Sequence, residues 1–292
     1  MAMMHEFEKD SGVLPLVEWV RNKGARETII VPGETALTGS DLIGELDRAA
    51  AFFKSSGILR HHRVAVLVPE RWPMALASMA VLSNAICVPM NPDYTAGELE
   101  FYLKLLQVDW VLTGGEASTA AEVCAKEMGL RTIQIAASGG RSKWTAGRLA
   151  PPGGERGDGF SGKQRPALIL HTSGSTAAPK VVPLTTAHLT ASLKSLVRSL
   201  DLGPKDICLN MMPLFHVGGL IDLLLAPLFS SGQVVMASKI SADSFFRLSA
   251  AHRPTWFQAV PTVLRDLVEH PEMAVPSADS GLRLIRSVSS PL

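Results

Sequence analysis

Short apolar runs alternate with amphipathic segments along almost the whole chain, and this alternation predicts most of its secondary structure. In the first half, continuous apolar or β-branched runs indicate strands, and the segments between them repeat apolar residues every three to four positions, as amphipathic helices do. The predicted strands are 27–31, 63–69, 87–92, 110–114 and 132–136, and the predicted helices are 39–57, 74–86, 95–108 and 121–129.

Local signals support the helix boundaries. Apolar residues recur at helical spacing from Leu42 to Phe53, Ser40 is the predicted N-cap of that helix, and Gly57 is predicted to end it. The segment 95–108 opens with the T-x-x-E spacing of a capping box. These signals predict where two of the helices of the first half begin.

A glycine-, proline- and charge-rich segment at 138–165 interrupts the pattern, which then resumes. Later strands are predicted at 167–172, 206–214, 233–238, 255–261 and 282–289, and later helices at 185–200, 218–231, 242–253 and 262–270. Strands separated by helices favour parallel, doubly wound sheets. We therefore expect a first α/β subdomain over 1–150, a connection over 138–165 and a second α/β subdomain over 166–292.

Composition and charge narrow the class of protein. Hydrophobic residues make up 47% of the chain and charged residues 19%, and the net charge of +1 gives no reason to expect nucleic acid as a partner. Cys87, Cys124 and Cys208 have neither disulfide nor metal-ligand spacing, which fits buried thiols in a reducing compartment. The apolar stretches 74–90 and 211–229 carry polar residues or prolines, so we expect no membrane span and a cytoplasmic location.

The stretch "LILHTSGSTAAPK" carries the most chemistry. It places Thr172, Ser173, Ser175 and Thr176 around Gly174, directly after a predicted strand, with a lysine at the far end. Hydroxyls and free backbone N–H groups in a tight loop form an anion-binding concavity. A mobile ammonium and the N-terminus of a helix starting near 185–186 would add positive charge for nucleotide phosphates. From the spacing alone, an ordinary Ser/Thr-rich turn is an alternative interpretation of this stretch.

Two other patterns are rejected. "GDGFSG" (157–162) satisfies G-x-G-x-x-G, but it follows a glycine- and proline-rich segment and no helix follows it, so we interpret it as connection. The neighbouring His61 and His62 lack further ligands at metal spacing, so we interpret them as part of a surface loop.

The Ser/Thr-rich loop closely resembles the phosphate loop of the adenylate-forming superfamily, which includes acyl-CoA synthetases, luciferases and the adenylation domains of peptide synthetases. That loop reads T-S-G-[ST]-T-G-x-P-K-G and is followed by V-x-L-T-H. Here Ala177 and Val181 replace glycines, and both changes reduce backbone freedom. The resemblance implies that Lys180 is catalytic, that Thr172, Ser173, Gly174, Ser175 and Thr176 bind the nucleotide, and that Thr176 meets the metal.

Three later segments resemble the same family, in the family's order. "MPLFHVGGL" (212–220) looks like the acyl-pocket segment P-x-F-H-x-x-G, and "AVPTVLRDLV" (259–268) looks like V-P-[ST]-x-x-x-x-L. "LRLIRSVSSPL" (282–292) looks like the strand that leads to adenine and the carboxylate. The resemblance assigns the pocket to Phe215, Val217, Gly218, Val260 and Pro261, the acyl gate to His216, and nucleotide contacts to Ser289, Ser290 and Pro291.

The fold and reaction that this resemblance implies are specific. The fold is α/β, with two stacked, doubly wound, mostly parallel sheets and flanking helices. ATP activates a carboxylic acid as an acyl-adenylate with Mg²⁺ neutralising phosphate charge, and the acyl group passes to coenzyme A or to the phosphopantetheine of a carrier protein. Val288, where glycine is usual, narrows the pocket and favours a small acid.

Parts of the family pattern do not occur in these residues: the Y-G-x-T-E segment, the T-G-D hinge and the C-terminal lid with its catalytic lysine. We therefore expect the chain to be an incomplete N-terminal portion that binds nucleotide weakly and turns over poorly by itself. Two alternatives stay open. One is a non-catalytic module that binds a nucleotide or an acyl ligand, and the other is an unrelated doubly wound enzyme whose loop only mimics the motif.

Overall fold

The computed structural model describes residues 14–114, 120–147, 165–172, 179–271 and 281–289. These residues form an α/β fold with two mostly parallel sheets and flanking helices, as the sequence predicts. The chain divides into two compact units. The described residues of the first lie within Met1–Glu18 and Gly44–Ser192, and those of the second within Trp19–Ile43 and Leu193–Leu292.

The regular elements are numbered in chain order. The strands are β1 (Glu27–Ile30), β2 (Leu37–Thr38), β3 (Arg63–Leu67), β4 (Ile86–Pro89), β5 (Trp110–Gly114), β6 (Arg131–Ser138), β7 (Arg141–Ala146), β8 (Pro166–Thr172), β9 (Lys180–Thr185), β10 (Ile207–Asn210), β11 (Gln233–Met236), β12 (Trp256–Ala259) and β13 (Leu284–Ser287). The helices are α1 (Leu16–Arg21), α2 (Gly39–Ser56), α3 (Arg71–Asn84), α4 (Ala96–Leu105), α5 (Ala120–Glu127), α6 (Thr186–Ser199), α7 (Ala226–Phe229), α8 (Ala242–His252) and α9 (Pro261–Glu269), and a π-helical segment, Gly218–Leu225, precedes α7.

The first unit is built on a seven-stranded sheet with the order β7-β6-β5-β3-β4-β8-β9. Its central strands are parallel, and β7 and β9 are antiparallel to their neighbours at the two edges. Leu99 and Leu103 of α4 and Ala125 of α5 pack into an apolar cluster with residues of β3, β4 and β5. Because parallel strands are covered on both faces, β3, β4 and β5 are buried along almost their whole length.

The second unit is built on a six-stranded sheet with the order β13-β12-β10-β11-β1-β2. Every pairing is parallel except that of β1 with β2. Phe245 and Leu248 of α8 and Leu267 of α9 pack in one apolar cluster with Leu209 and Phe257 of the sheet. In the part of the chain that the structure describes, no helix is long and apolar enough to cross a membrane.

The predicted helices and strands are found, with two boundary signals confirmed and one wrong. Gly57, which has a φ of 79°, follows the last residue of α2, Ser56, as predicted. Thr95 forms the predicted capping box: its N–H donates to Glu98 Oε2 over 2.8 Å, and its Oγ1 accepts from the Glu98 N–H over 3.4 Å. Ser40 is not the N-cap of α2. That helix begins at Gly39, two residues earlier than a Ser40 cap implies, because the Thr38 hydroxyl accepts from the Asp41 N–H over 3.1 Å and the Asp41 carboxylate accepts from the Thr38 N–H over 2.9 Å.

The unit boundaries differ from the predicted ranges of 1–150 and 166–292. Strand β8 pairs in parallel with β4, with Cys87 opposite Leu168, so residues 166–192 lie in the first unit. Strand β1 pairs with β11, with Ile29 opposite Val234, so residues 19–43 lie in the second. Strand pairing between residues far apart in sequence sets these boundaries, and the interruption at 138–165 does not mark them.

Strand β7 lies inside the segment that the sequence assigns to a connection. Glu45 of α2, whose side chain is almost fully buried, accepts the Ser142 N–H over 3.0 Å. The Trp144 ring lies 5.2 Å from the Phe53 ring in an edge contact. A charge-assisted hydrogen bond and an aromatic contact therefore hold β7 against α2.

The predicted α-helix 218–231 begins as a π-helix. The N–H of Ala226 donates to the carbonyl of Ile221, five residues back. Two glycines allow the segment to pack closely. A Cβ on Gly219 would lie 2.1 Å from the Pro213 carbonyl oxygen, whereas a Cβ on Gly218 would first meet the terminal methyl of Met212 at 2.8 Å.

A polar network ties together the starts of three strands of the second unit. The Asp206 carboxylate accepts from the Gly203 N–H over 2.8 Å, from the Thr255 hydroxyl over 2.6 Å and from the Arg283 guanidinium over 2.9 and 3.0 Å. Burial raises the pKa of Asp206, but these donors and the positive charge of Arg283 outweigh it and hold the pKa below its ordinary value.

We expect Gly219→Ala to destabilise the protein more than Gly218→Ala. The new methyl at 219 collides with backbone atoms, which must shift, whereas at 218 it meets the flexible end of Met212. Overpacking of this kind costs about 3 kcal/mol at the first position and about 1 kcal/mol at the second. Urea unfolding measures both, and equal losses of free energy of unfolding would contradict the packing described for the π-helix.

We expect Asp206→Asn to lower the free energy of unfolding by about 2 kcal/mol at pH 7, because Arg283 loses its charged partner. A carboxyl whose folded pKa is depressed stabilises above its unfolded pKa, and this contribution is lost as pH falls through the folded pKa. The difference from the wild type should therefore shrink below about pH 4. Asp266→Asn, at an exposed position on α9, is the matched control. A deficit that is independent of pH would exclude this charge effect.

Candidate functional site

The two described ends of the Ser/Thr-rich loop face each other across a hairpin. Strands β8 and β9 are antiparallel, with Thr172 opposite Lys180 and His171 opposite Val181. Both Thr172 and Lys180 are exposed. Directly opposed residues have Cβ atoms about 5 Å apart, so the hydroxyl and the ammonium stand at the mouth of the loop. The predicted loop residues Ser173, Gly174, Ser175 and Thr176 lie outside the described residues.

The helix that follows the motif is farther from the loop than its sequence indicates. Helix α6 begins at Thr186, as predicted, but the six residues of β9 come first. Six residues of strand span about 20 Å. Because the field of a helix end falls off within about one turn, the N-terminus of α6 does not add to the loop's positive charge. That part of the prediction is wrong, and it leaves Lys180 as the described positive group at the loop.

An aromatic cluster packs against the C-terminal end of β8. The Tyr94 hydroxyl lies 2.9 Å from Nε2 of His171, within hydrogen-bond distance. The Tyr102 ring lies 4.5 Å from the His171 ring and 5.0 Å from the Tyr94 ring, stacked on the latter at 16°. Burial raises the pKa of Tyr94 to about 12, so its hydroxyl stays protonated. These contacts fix the residue that precedes Thr172.

The three motif segments of the second unit follow neighbouring parallel strands. Strand β10 ends at Asn210 and leads into the 212–220 segment, β12 ends at Ala259 and leads into Val260, and β13 ends at Ser287. These strands are adjacent in the sheet and run in the same direction. The motifs therefore meet at one edge of the sheet, where α/β proteins bind ligands.

The turn after β10 carries four predicted residues. The Phe215 and His216 rings lie 4.6 Å apart, Val217 is 52% exposed, and Gly218 opens the π-helix. Asn210 supports this turn from beneath, since its side-chain amide donates to the Gly219 carbonyl over 3.0 Å. Partial desolvation lowers the pKa of His216 from its ordinary value, which keeps the imidazole neutral at pH 7.

The remaining predicted residues begin or end elements at the same edge. Val260 stands at the N-cap position of α9 in an extended conformation, and Pro261 occupies the first helical turn, where a missing N–H costs nothing. Ser289 is exposed and has a positive φ of 76°. Ser290 and Pro291 lie outside the described residues.

A polar cluster at this edge is missed by the sequence reasoning. Arg286 donates through Nη1 to Asp222 Oδ2 over 3.0 Å and to Gln258 Oε1 over 2.5 Å. The Gln258 amide donates to the same Asp222 oxygen over 3.0 Å, which closes a triangle of three side chains. The signal in the sequence is Asp222, a lone charge in the apolar run "GGLIDLLLAPLF".

Metal ligation was predicted only for Thr176, which the structure does not describe. Over the described ranges, no three His, Cys, Asp or Glu side chains come together as a metal site. His61 and His62 lie partly exposed in the connection between α2 and β3, and Nδ1 of His62 lies 3.0 Å from the Leu59 N–H and 3.1 Å from the Trp110 indole nitrogen. The three cysteines are free and buried.

Comparison with known proteins identifies relatives that cover most of the chain. The Arabidopsis thaliana oxalate–CoA ligase is 31% identical over 277 residues, which are 91% of this chain and 53% of that protein. The sulfoacetate–CoA ligase of Cupriavidus necator is 29% identical over 266 residues, which are 88% of this chain and 50% of that protein. The chain therefore spans about half the length of the curated relatives it matches.

Solved structures share the fold. ATP-bound MatB from Rhodopseudomonas palustris superposes with a TM-score of 0.77 and 22% identity, covering 94% of this chain and 55% of that one. The family model "AMP-binding enzyme" matches residues 16–292, a range that contains every motif segment described above. The order of the motifs, their place at the strand ends and this match agree, and the chain belongs to the AMP-binding enzyme family.

Proposed function

We propose that the protein joins a small carboxylic acid to coenzyme A by way of an acyl-adenylate formed from ATP. The observation that carries this proposal is the placement of the family's motifs at the ends of strands: Thr172 and Lys180 at the mouth of the loop in the first unit, and three adjacent segments at one sheet edge in the second. Names of relatives that are CoA ligases support the same reaction.

The first half-reaction needs positioning and charge neutralisation more than covalent help from the protein. An oxygen of the substrate carboxylate attacks the α-phosphorus of ATP, the bond to the bridging oxygen breaks, and pyrophosphate leaves. Lys180 would hold the departing phosphates by its charge, and the hydroxyls of Thr172, Ser173, Ser175 and Thr176 would donate to their oxygens. When bound, Mg²⁺ would supply further neutralisation of the phosphates, with Thr176 as its proposed ligand.

The second half-reaction transfers the acyl group. The thiol of coenzyme A attacks the adenylate carbonyl and AMP leaves, so that one thioester forms for each ATP cleaved. A neutral His216 beside Phe215 suits a gate at the acyl pocket, because it presents a ring without adding charge next to a carboxylate. Val217, Gly218, Val260 and Pro261 would line that pocket. A carrier-protein phosphopantetheine is the alternative acceptor, since it offers the same thiol.

We propose that the acid is short and carries a second negative group. Oxalate and sulfoacetate, the acids in the names of two relatives, share two features: a two-carbon skeleton and a second anion.

We also propose a cytoplasmic location. The three buried cysteines are free thiols, which fits a reducing compartment.

Lys180→Ala tests the proposal. We expect carboxylate-dependent exchange of pyrophosphate into ATP to fall about 100-fold, because one preorganised positive group on the leaving phosphates is lost. Lys180→Arg should keep part of the rate, since it retains the charge with a different geometry. Lys205→Ala, which removes an exposed lysine outside every motif, is the control. The protein as its source makes it is assayed with Mg·ATP and oxalate, malonate, sulfoacetate or propionate.

Two outcomes would contradict the proposal in different ways. Binding of Mg·ATP that depends on Lys180, without exchange for any acid, would favour a nucleotide-binding module. Exchange that is unchanged in Lys180→Ala would mean that the loop only mimics the family motif.

A further inference from the structure

Arg286 presents an unused edge next to the acyl-pocket segment. Its Nη1 donates hydrogen bonds to both Asp222 and Gln258. Within the part of the chain that the structure describes, neither Nε nor Nη2 of Arg286 has a hydrogen-bond partner. The Arg286 side chain is 35% exposed, so solvent reaches part of it. A guanidinium edge with two parallel N–H donors matches a carboxylate or sulfonate.

Strand register places this group beside the pocket motif. Gln258 and Arg286 are directly paired across β12 and β13, so their side chains leave the same face of the sheet. Asp222 reaches them from the π-helix that begins at Gly218. A Cβ on Gly218 would come within 3.1 Å of the Gln258 amide nitrogen, so the cluster lies directly against the P-L-F-H-V-G-G segment.

The cluster of Arg286, Asp222 and Gln258 has the chemistry of a site that binds an anion. A half-buried guanidinium without a counter-ion would be costly, and Asp222 provides that counter-ion when no substrate is bound. By holding Nη1, Asp222 and Gln258 also fix the plane of the guanidinium and leave its other edge directed away from them.

We infer that Arg286 is a specificity-determining residue that binds the second anionic group of the acid substrate, with Asp222 and Gln258 as its positioning residues. This inference rests on the proposed function and names how that site selects its substrate class. Malonate and propionate, which have the same number of carbon atoms, differ in this second anion and are the probes.

Arg286→Gln tests the inference in the protein as its source makes it. We expect the KM for malonate in the exchange assay to rise about 10- to 100-fold, the usual effect of losing a charge-assisted hydrogen-bond pair. The KM for propionate should change less than about twofold, because propionate has no second anion to lose a contact. The KM of Arg286→Lys for malonate should lie between those of the wild type and Arg286→Gln, since lysine keeps the charge without the two parallel N–H donors of arginine.

A second variant separates specificity from folding. Arg286→Gln leaves Asp222 without its cation, whereas Arg286→Gln with Asp222→Asn removes both charges and keeps side chains that hydrogen-bond to Gln258. We expect this double variant to unfold at the wild-type temperature and still to lose its preference for malonate. Equal changes in the two KM values, or an unchanged preference in the double variant, would overturn the inference and leave the proposed function standing. Absence of exchange by the wild type with every acid would overturn both.

Discussion

The antiparallel pairing of β8 with β9 is the interaction on which the candidate nucleotide site depends. It returns the chain along the strand it has just left and sets Lys180 opposite Thr172. A lysine side chain alone is flexible, but its backbone here is held by the strand ladder, so the ammonium can sample only the space around the loop mouth. The Tyr94–His171 contact anchors the same strand end from the other side.

In the second unit, parallel strands bring the motif segments together. Because β10, β12 and β13 run in the same direction, whatever follows them must gather at one edge of the sheet. That edge combines a neutral aromatic pair, Phe215 and His216, with the charged cluster of Asp222 and Arg286. The cost of placing charge there is reduced by pairing, and the glycines of the π-helix allow the pair and the pocket segment to lie in contact.

Local sequence signals predict the elements well and their assembly less well. Apolar periodicity locates the alternating strands and helices, and the T-x-x-E spacing gives the start of α4 correctly, because both depend on residues close in sequence. Strand β9 is missed because Pro183, which cannot donate to a strand ladder, argues against a strand in this segment, and the strand forms at the edge of the sheet by pairing with β8. Strand β7 is missed because its sequence is mostly polar and carries no apolar run, and it forms by antiparallel pairing with β6 and by contacts with α2.

The residues of the candidate site also differ in whether local sequence predicts them. Whereas the predicted loop residues 173–176 lie outside the described residues, the turn after β10 and the strand ends can be predicted from ordered motifs, because each is a contiguous segment. The cluster of Asp222, Gln258 and Arg286 cannot, because its members come from three segments that only strand register brings together. The π-helical geometry is equally invisible in the apolar run that contains it, since the run fits an α-helix as well.

The central claim, that the carboxylate attacks the α-phosphorus of ATP, is tested most directly by following an oxygen isotope. Malonate labelled with ¹⁸O in its carboxylates is incubated with ATP, Mg²⁺, coenzyme A and the protein as its source makes it, and the nucleotide products are analysed by mass spectrometry. An adenylate mechanism predicts AMP that carries one ¹⁸O atom, with unlabelled pyrophosphate. Labelled inorganic phosphate together with ADP would mean attack at the γ-phosphorus, and would contradict the account.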